Sequence, residues 1–146
     1  MSYEATMNIY DENDFWVQYP DDWTLSIDDE SEADELTIAS PEGSFWSLSR
    51  YPAFHKAEDL VEEGVAALEE MYEGCDAVPI QEVFPSAVLE GVDVDFFYFD
   101  FPCIAMIRGL ERGKFSYLLV VQMLDISQAS RETFRSITQA WLEHLA

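Results

Sequence analysis

Apolar residues recur at every second position through most of this chain, and at every third or fourth in only two stretches. An alternating segment buries one face as a strand, whereas a 3.6-residue stripe buries one face as a helix. The order of these periods therefore limits the layers the chain can build. Phe15, Val17 and Tyr19 alternate with Trp16 and Gln18, and a turn at Pro20-Asp21-Asp22 leads into Trp23, Leu25 and Ile27, which alternate with Thr24, Ser26 and Asp28. An acidic connection over 28–35 precedes a strand at Leu36–Ser40, and a turn at Pro41-Glu42-Gly43-Ser44 precedes a strand at Phe45–Tyr51. Over 56–73 the period changes: Leu60, Val61, Val65, Leu68, Met71 and Tyr72 form one stripe against seven acids, which predicts an amphipathic helix stopped at Gly74. Strands are expected at Val78–Phe84, Val92–Phe101, Cys103–Leu110 and Lys114–Leu124, with a tight turn at Arg112-Gly113. Ser127 or Ser130 can cap a closing helix whose stripe is Phe134, Ile137, Trp141 and Leu145. Strands, helix, strands, helix predict an α+β fold. It is one antiparallel β-sheet flanked by helices, an α/β/α sandwich in a single domain over 1–146.

Charge narrows the function classes. The 146 residues hold 30 acids and 7 bases, 7 − 30 = −23, yet 49% are hydrophobic and 14% aromatic, too apolar for a disordered chain. Such a charge opposes nucleic acid phosphates and anionic lipid. The longest apolar runs, Cys103–Ile107 and Tyr117–Val121, are five residues, far below the ~20 of a membrane span. The opening Met1-Ser2-Tyr3-Glu4 has no basic or apolar leader pattern, so a cytoplasmic location is expected, with no membrane insertion. The acids are unevenly placed: residues 1–100 carry 2 − 26 = −24 and residues 101–146 carry 5 − 4 = +1. A one-sided field fits the steering of a partner, while scarce lysine keeps salt adaptation as an alternative source of the acidity.

Catalytic patterns are lacking. His55 precedes the first helix and Cys75 follows it, roughly 25–30 Å apart at 1.5 Å per residue, too far for a dyad. Nothing in the spacing brings Cys103 to His144, and two cysteines make neither a disulfide scaffold nor a zinc site. No nucleophile elbow, zinc-helix, P-loop or dinucleotide pattern occurs. No enzyme activity, cofactor or metal is expected. The alternative is a small-molecule binder or acid/base enzyme with a pocket between sheet and helix, using Asp93 and Asp95.

Two segments remain as candidate partner-binding sites. Asp28, Asp29, Glu30, Glu32, Asp34 and Glu35 form an acidic run without the glycine or ligand spacing of a calcium loop. It reads as a solvated loop or as a docking surface for a basic partner, joined by the acidic face of the 56–73 helix. In the strand 92–101, Val92, Val94, Phe96 and Tyr98 share one face, and Asp93, Asp95, Phe97, Phe99 and Phe101 the other. Either the aromatic half of that second face lies under a helix, or Phe97, Phe99 and Phe101 form an exposed apolar patch. Trp16 and Trp46, opposite the main alternation, raise the same choice.

The segment Tyr19-Pro20-Asp21-Asp22-Trp23, an aromatic strand followed by Pro-x-x-Trp and a second alternating strand, resembles the opening of the Mog1/PsbP-like superfamily, including its bacterial DUF1795 branch. The ending is similar too: a hairpin into Lys114–Leu124, then a helix with Phe134-x-x-Ile137-x-x-x-Trp141. Where that family often has Ser-Phe near the end of the final helix, this chain has Ala140-Trp141. The resemblance implies a sandwich that works without catalysis, among relatives that bind a GTPase, serve photosystem II or shield apolar helices of secreted proteins. The expectation is a cytoplasmic, non-enzymatic adaptor or chaperone-like module, monomer or homodimer. Its partner would be a basic protein or one offering an apolar helix.

Overall fold

The computed structural model describes residues 6–28, 33–124 and 128–145. Among them the strands are β1 (Met7–Glu12), β2 (Phe15–Pro20), β3 (Thr24–Asp28), β4 (Asp34–Ala39), β5 (Phe45–Pro52), β6 (Asp76–Val83), β7 (Val88–Tyr98), β8 (Phe101–Arg112) and β9 (Phe115–Leu124). The helices are α1 (Ala57–Met71), between β5 and β6, and α2 (Gln128–Leu145). Seven strands form one antiparallel sheet in the order β3-β4-β5-β9-β8-β7-β6, while β1 and β2 pair as a separate hairpin. α1 lies over β7, β8 and β9 on one face; α2 and β2 pack together on the other. The α+β sandwich read from the two periods is therefore the architecture observed.

The two cores follow the alternation. Beneath α1, Val61 and Leu68 meet Val94, Phe96, Ala105 and Ile107. The helix begins close to the sheet because Gly109 has no side chain: a Cβ there would sit 3.0 Å from the Ala57 carbonyl oxygen and a Val61 methyl. Beneath α2, Phe134, Ile137, Trp141 and Leu142 are buried against Leu36, Ile38, Leu48 and Leu119, each contributing roughly 1.5–3 kcal/mol. Trp46, a candidate exposed aromatic, is instead fully buried, and its indole N–H donates to Thr138 Oγ1 at 2.9 Å. Trp16 is half-buried with its ring stacked on His144, centroids 4.5 Å apart. Neither is a free aromatic patch.

Several boundaries differ for local reasons. β1 leaves no alternation in the sequence because Met7 and Ile9 are exposed, Ile9 at 59%. Its turn, Asn13-Asp14, has both residues at positive φ, +54° and +65°, as in a type I′ hairpin. The helix stops at Met71 rather than at Glu73, because Tyr72 turns extended and its ring stacks on Phe96. The last hairpin turns on Gly113-Lys114, one residue later than expected, with Gly113 at φ +63°. Ser130 does not cap α2; its hydroxyl donates to Glu42 from inside the helix. Ser127 lies outside the described residues.

Candidate functional site: an aromatic hairpin tip

The strand expected over 92–101 is broken by a two-residue turn, Phe99-Asp100, with Tyr98 paired to Phe101 across it. Residues directly opposite in an antiparallel pair share a face. Phe101 therefore sits with Tyr98 and Phe96 on the α1 side, while Phe97, opposite Pro102, sits on the other side. The expectation that Phe97, Phe99 and Phe101 share one face is overturned by that reversal of the chain.

The pairing also shows why this end is bare. β6 pairs with β7 only as far as Asp76 with Asp95, and β9 pairs with β8 only as far as Leu124 with Cys103. Among the described residues, Phe97–Tyr98 and Phe101–Pro102 thus pair only with one another, as a finger beyond the sheet. Tyr72, at the end of α1, covers Phe96 at 4.4 Å between centroids and meets Tyr98 edge-on at 6.3 Å. Beyond it the cover ends: Phe97 is 58% exposed, Tyr98 53%, Phe99 80% and Phe101 60%. Together the four rings expose on the order of 500 Å², divided between the two faces of the finger. The reading of these phenylalanines as core under a helix is wrong. Tyr98 keeps the face it shares with Val94 and Phe96 but lies exposed at the tip. Asp100 followed by Pro102 was the available signal for a turn there.

Phe99 occupies the tip at φ +57°, a left-handed position where such a turn normally carries glycine. A bulky side chain there costs about 1–2 kcal/mol, on top of the exposed ring. The surroundings are acidic. Asp95 faces Asp76 across the β6–β7 pair, Asp100 is in the turn, and Glu73 follows Tyr72. Residues 57–107 contain 13 acids and no lysine or arginine.

The acidic run lies elsewhere. Asp34 and Glu35 open β4 instead of forming a loop: Asp34 is 2.9 Å from the Arg50 guanidinium, and Glu35 accepts from the Ser47 hydroxyl at 3.0 Å. Asp28 ends β3, opposite Glu35. Asp29, Glu30 and Glu32 lie outside the described residues. From Asp34 to the tip is four strand steps across the sheet and eight residues along it, since Asp34 is level with Leu110 and Phe97 with Pro102. At about 4.8 Å per step and 3.4 Å per residue, the separation is on the order of 30 Å. The acidic run and the aromatic tip are separate surfaces.

A sheet–helix cleft of about 390 Å³ does exist, between α2 and β6–β8, but it does not gather the two aspartates. Asp93 lies 2.8 Å from the buried Arg108 guanidinium, whose Nε donates to Glu82 at 3.0 Å. Arg135 reaches the other Glu82 oxygen at 2.7 Å and donates to the Val83 carbonyl at 2.9 Å. This network ties the edge strand to α2. Asp95 is exposed and does not line the cleft.

The remaining chemistry is quiet. Burial pushes the Cys75 thiol up, helped by Glu69, and burial pushes up Cys103. His144 is taken up by Trp16, and His55 by the rings of Tyr51 and Phe54. Among the described residues no group of three His, Cys, Asp or Glu is placed to hold a metal, and no helix is long and apolar enough to cross a membrane.

No family model matches the chain, and no curated protein matches it by sequence. Solved structures do. The chain is similar to cyanobacterial PsbP (CyanoP) from Synechocystis sp. PCC 6803, with a TM-score of 0.59 at 10% identity over 93% of this chain and 91% of that one. It is similar as well to a Pseudomonas aeruginosa protein of unknown function, with a TM-score of 0.52 at 14% identity over 91% and 94%. The likeness is one of fold: this chain is built on the PsbP-like plan, as its opening and closing motifs implied.

Proposed function

We propose that this chain is a non-enzymatic protein-interaction module, an adaptor or chaperone-like protein that docks an apolar partner surface on the β7–β8 tip. The observation that carries this is Phe99, an 80%-exposed aromatic held at φ +57°. Strain and exposure at one residue both cost stability, and they persist where a bound state recovers them. Acids around the tip steer a basic partner toward it; Asp28, Asp34 and Glu35, about 30 Å away, are screened beyond about 8 Å at physiological ionic strength. A cytoplasmic setting and the bacterial chaperone-type branch belong to the same proposal. The test is tagged capture with wild type, Phe99→Ser and an Asp28→Lys/Glu35→Lys variant. Partners lost from Phe99→Ser and kept by the charge variant are expected. Equal capture by wild type and Phe99→Ser overturns the reading.

A further inference from the structure

α1 covers only part of its side of the sheet. The edge strand β6 lies beyond the helix, and its α1-facing residues Ala77 and Pro79 are exposed. Between helix and strand runs a groove. One section, of about 330 Å³, has Val65 and Ala66 on the helix wall and Ala77, Pro79 and Val92 as its floor. The next, of about 590 Å³, continues past Val61 and Val92 to Val88 and Gly109. Val61, Glu62 and Val92 line both sections, so the two are continuous. The floor is aliphatic. The helix side is acidic along both sections, with Glu58, Glu62 and Glu69, and the strand side is acidic in the second section, with Glu90 and Glu111. Lys56 stands beside the groove, 3.8 Å from Glu111 and 67% exposed.

An aliphatic floor edged by glutamates, on one side in the first section and on both in the second, selects its occupant by charge. A neutral apolar helix would leave the glutamates unpaired, and an acidic segment would be repelled. A second copy of this chain, at −23, is disfavoured by the same repulsion. We infer that the groove between α1 and β6 binds a basic amphipathic helix of a partner protein, apolar on one side and lysine- or arginine-bearing on both flanks. Its wall runs from Ala57 to Glu69, so at 1.5 Å per residue it accommodates about three helical turns. The inference rests on the reading of the chain as an interaction module, but on a surface different from the aromatic tip.

The probe is a labelled peptide of about 14 residues, with leucine on one helical face and lysine on both flanks. Binding to the full chain is followed by anisotropy, and the site is mapped by amide shifts. Ala66→Arg and Ala77→Arg fill the groove and reverse its local charge at exposed positions, where the fold tolerates a long polar side chain. The expected result is a single site with shifts at Val61, Val65, Ala77 and Val92. Binding should fall by at least about tenfold in either groove variant and again on raising salt from about 50 mM to 500 mM. Phe99→Ser should bind as wild type does. Undiminished binding in the groove variants, or shifts scattered over the surface, overturns the inference, as does equal binding of the peptide with glutamate in place of lysine. A peptide lost from Phe99→Ser alone overturns the groove and leaves the tip standing. Capture unchanged by Phe99→Ser removes the tip and leaves the groove standing.

Discussion

Arg108 holds Asp93 at 2.8 Å from a position only 3% exposed, and Glu82 completes its pairing at 3.0 Å. The carboxylate that alternation offered as an acid/base group is thereby the counter-charge of a buried guanidinium. Removing one partner of such a pair leaves the other desolvated, which costs more than the pair itself contributes. Asp93→Ala is expected to lower stability by about 3 kcal/mol, and Asp93→Asn, which keeps an acceptor, by about 1 kcal/mol. Urea unfolding with an unchanged m-value checks both; equal midpoints for the two variants would show that the charge is not what matters.

Phe99→Gly reads the strain at the tip. Glycine adopts φ +57° without a Cβ conflict, so the variant should be more stable than wild type by about 0.5–1 kcal/mol while losing an aromatic contact. A stabilised protein that captures less partner is the expected combination. A destabilised Phe99→Gly would mean that the ring supports the fold, and the tip would then need no partner to explain it.

Both of these residues show where reading a sequence by period succeeds and stops. Val94, Phe96, Ala105 and Ile107 were legible because burial on one face writes itself into alternation. β1 was not, since exposed Met7 and Ile9 carry no inside–outside contrast. Phe97, Phe99 and Phe101 stand out by residue type, but alternation does not show that the chain reverses at Phe99-Asp100 and sends Phe97 and Phe101 to opposite sides. The groove was invisible for another reason. It depends on how far α1 reaches across the sheet, and that is decided by packing between elements, such as Gly109 against Ala57.

Salt separates partner steering from salt adaptation. Asp76 faces Asp95 and Asp28 faces Glu35 across paired strands, and like charges so placed each cost roughly 0.2–1 kcal/mol. Screening them in molar KCl should raise Tm by about 4 °C, from a protein already folded at low salt. Circular dichroism against KCl concentration checks this. A chain unfolded at low salt and recovered by KCl would reassign the acidity to salt adaptation.

Alkali should lower the stability of the protein in two overlapping steps. Burial, then Glu69, raises the Cys75 thiol above its ordinary 9.0, and burial raises Cys103 despite a backbone hydrogen bond acting the other way. Burial also raises the Tyr117 hydroxyl above 10.0, against the pull of Arg50. Each group keeps its proton longer in the folded chain than in the unfolded one. Above the ordinary value the native state therefore binds more protons, and stability falls as pH rises. The contribution is complete below pH 9.0 and is lost as pH climbs through the raised folded values, the thiols starting first and Tyr117 from 10.0. Urea midpoints from neutral to strongly alkaline pH should fall less steeply above 10.0 in Tyr117→Phe, and less steeply from 9.0 in Cys75→Ser/Cys103→Ser. Rising negative charge acts on wild type and variants alike, so the difference between their slopes isolates the buried groups. Parallel slopes for Tyr117→Phe and wild type would mean that the phenol is reached by solvent before the core opens.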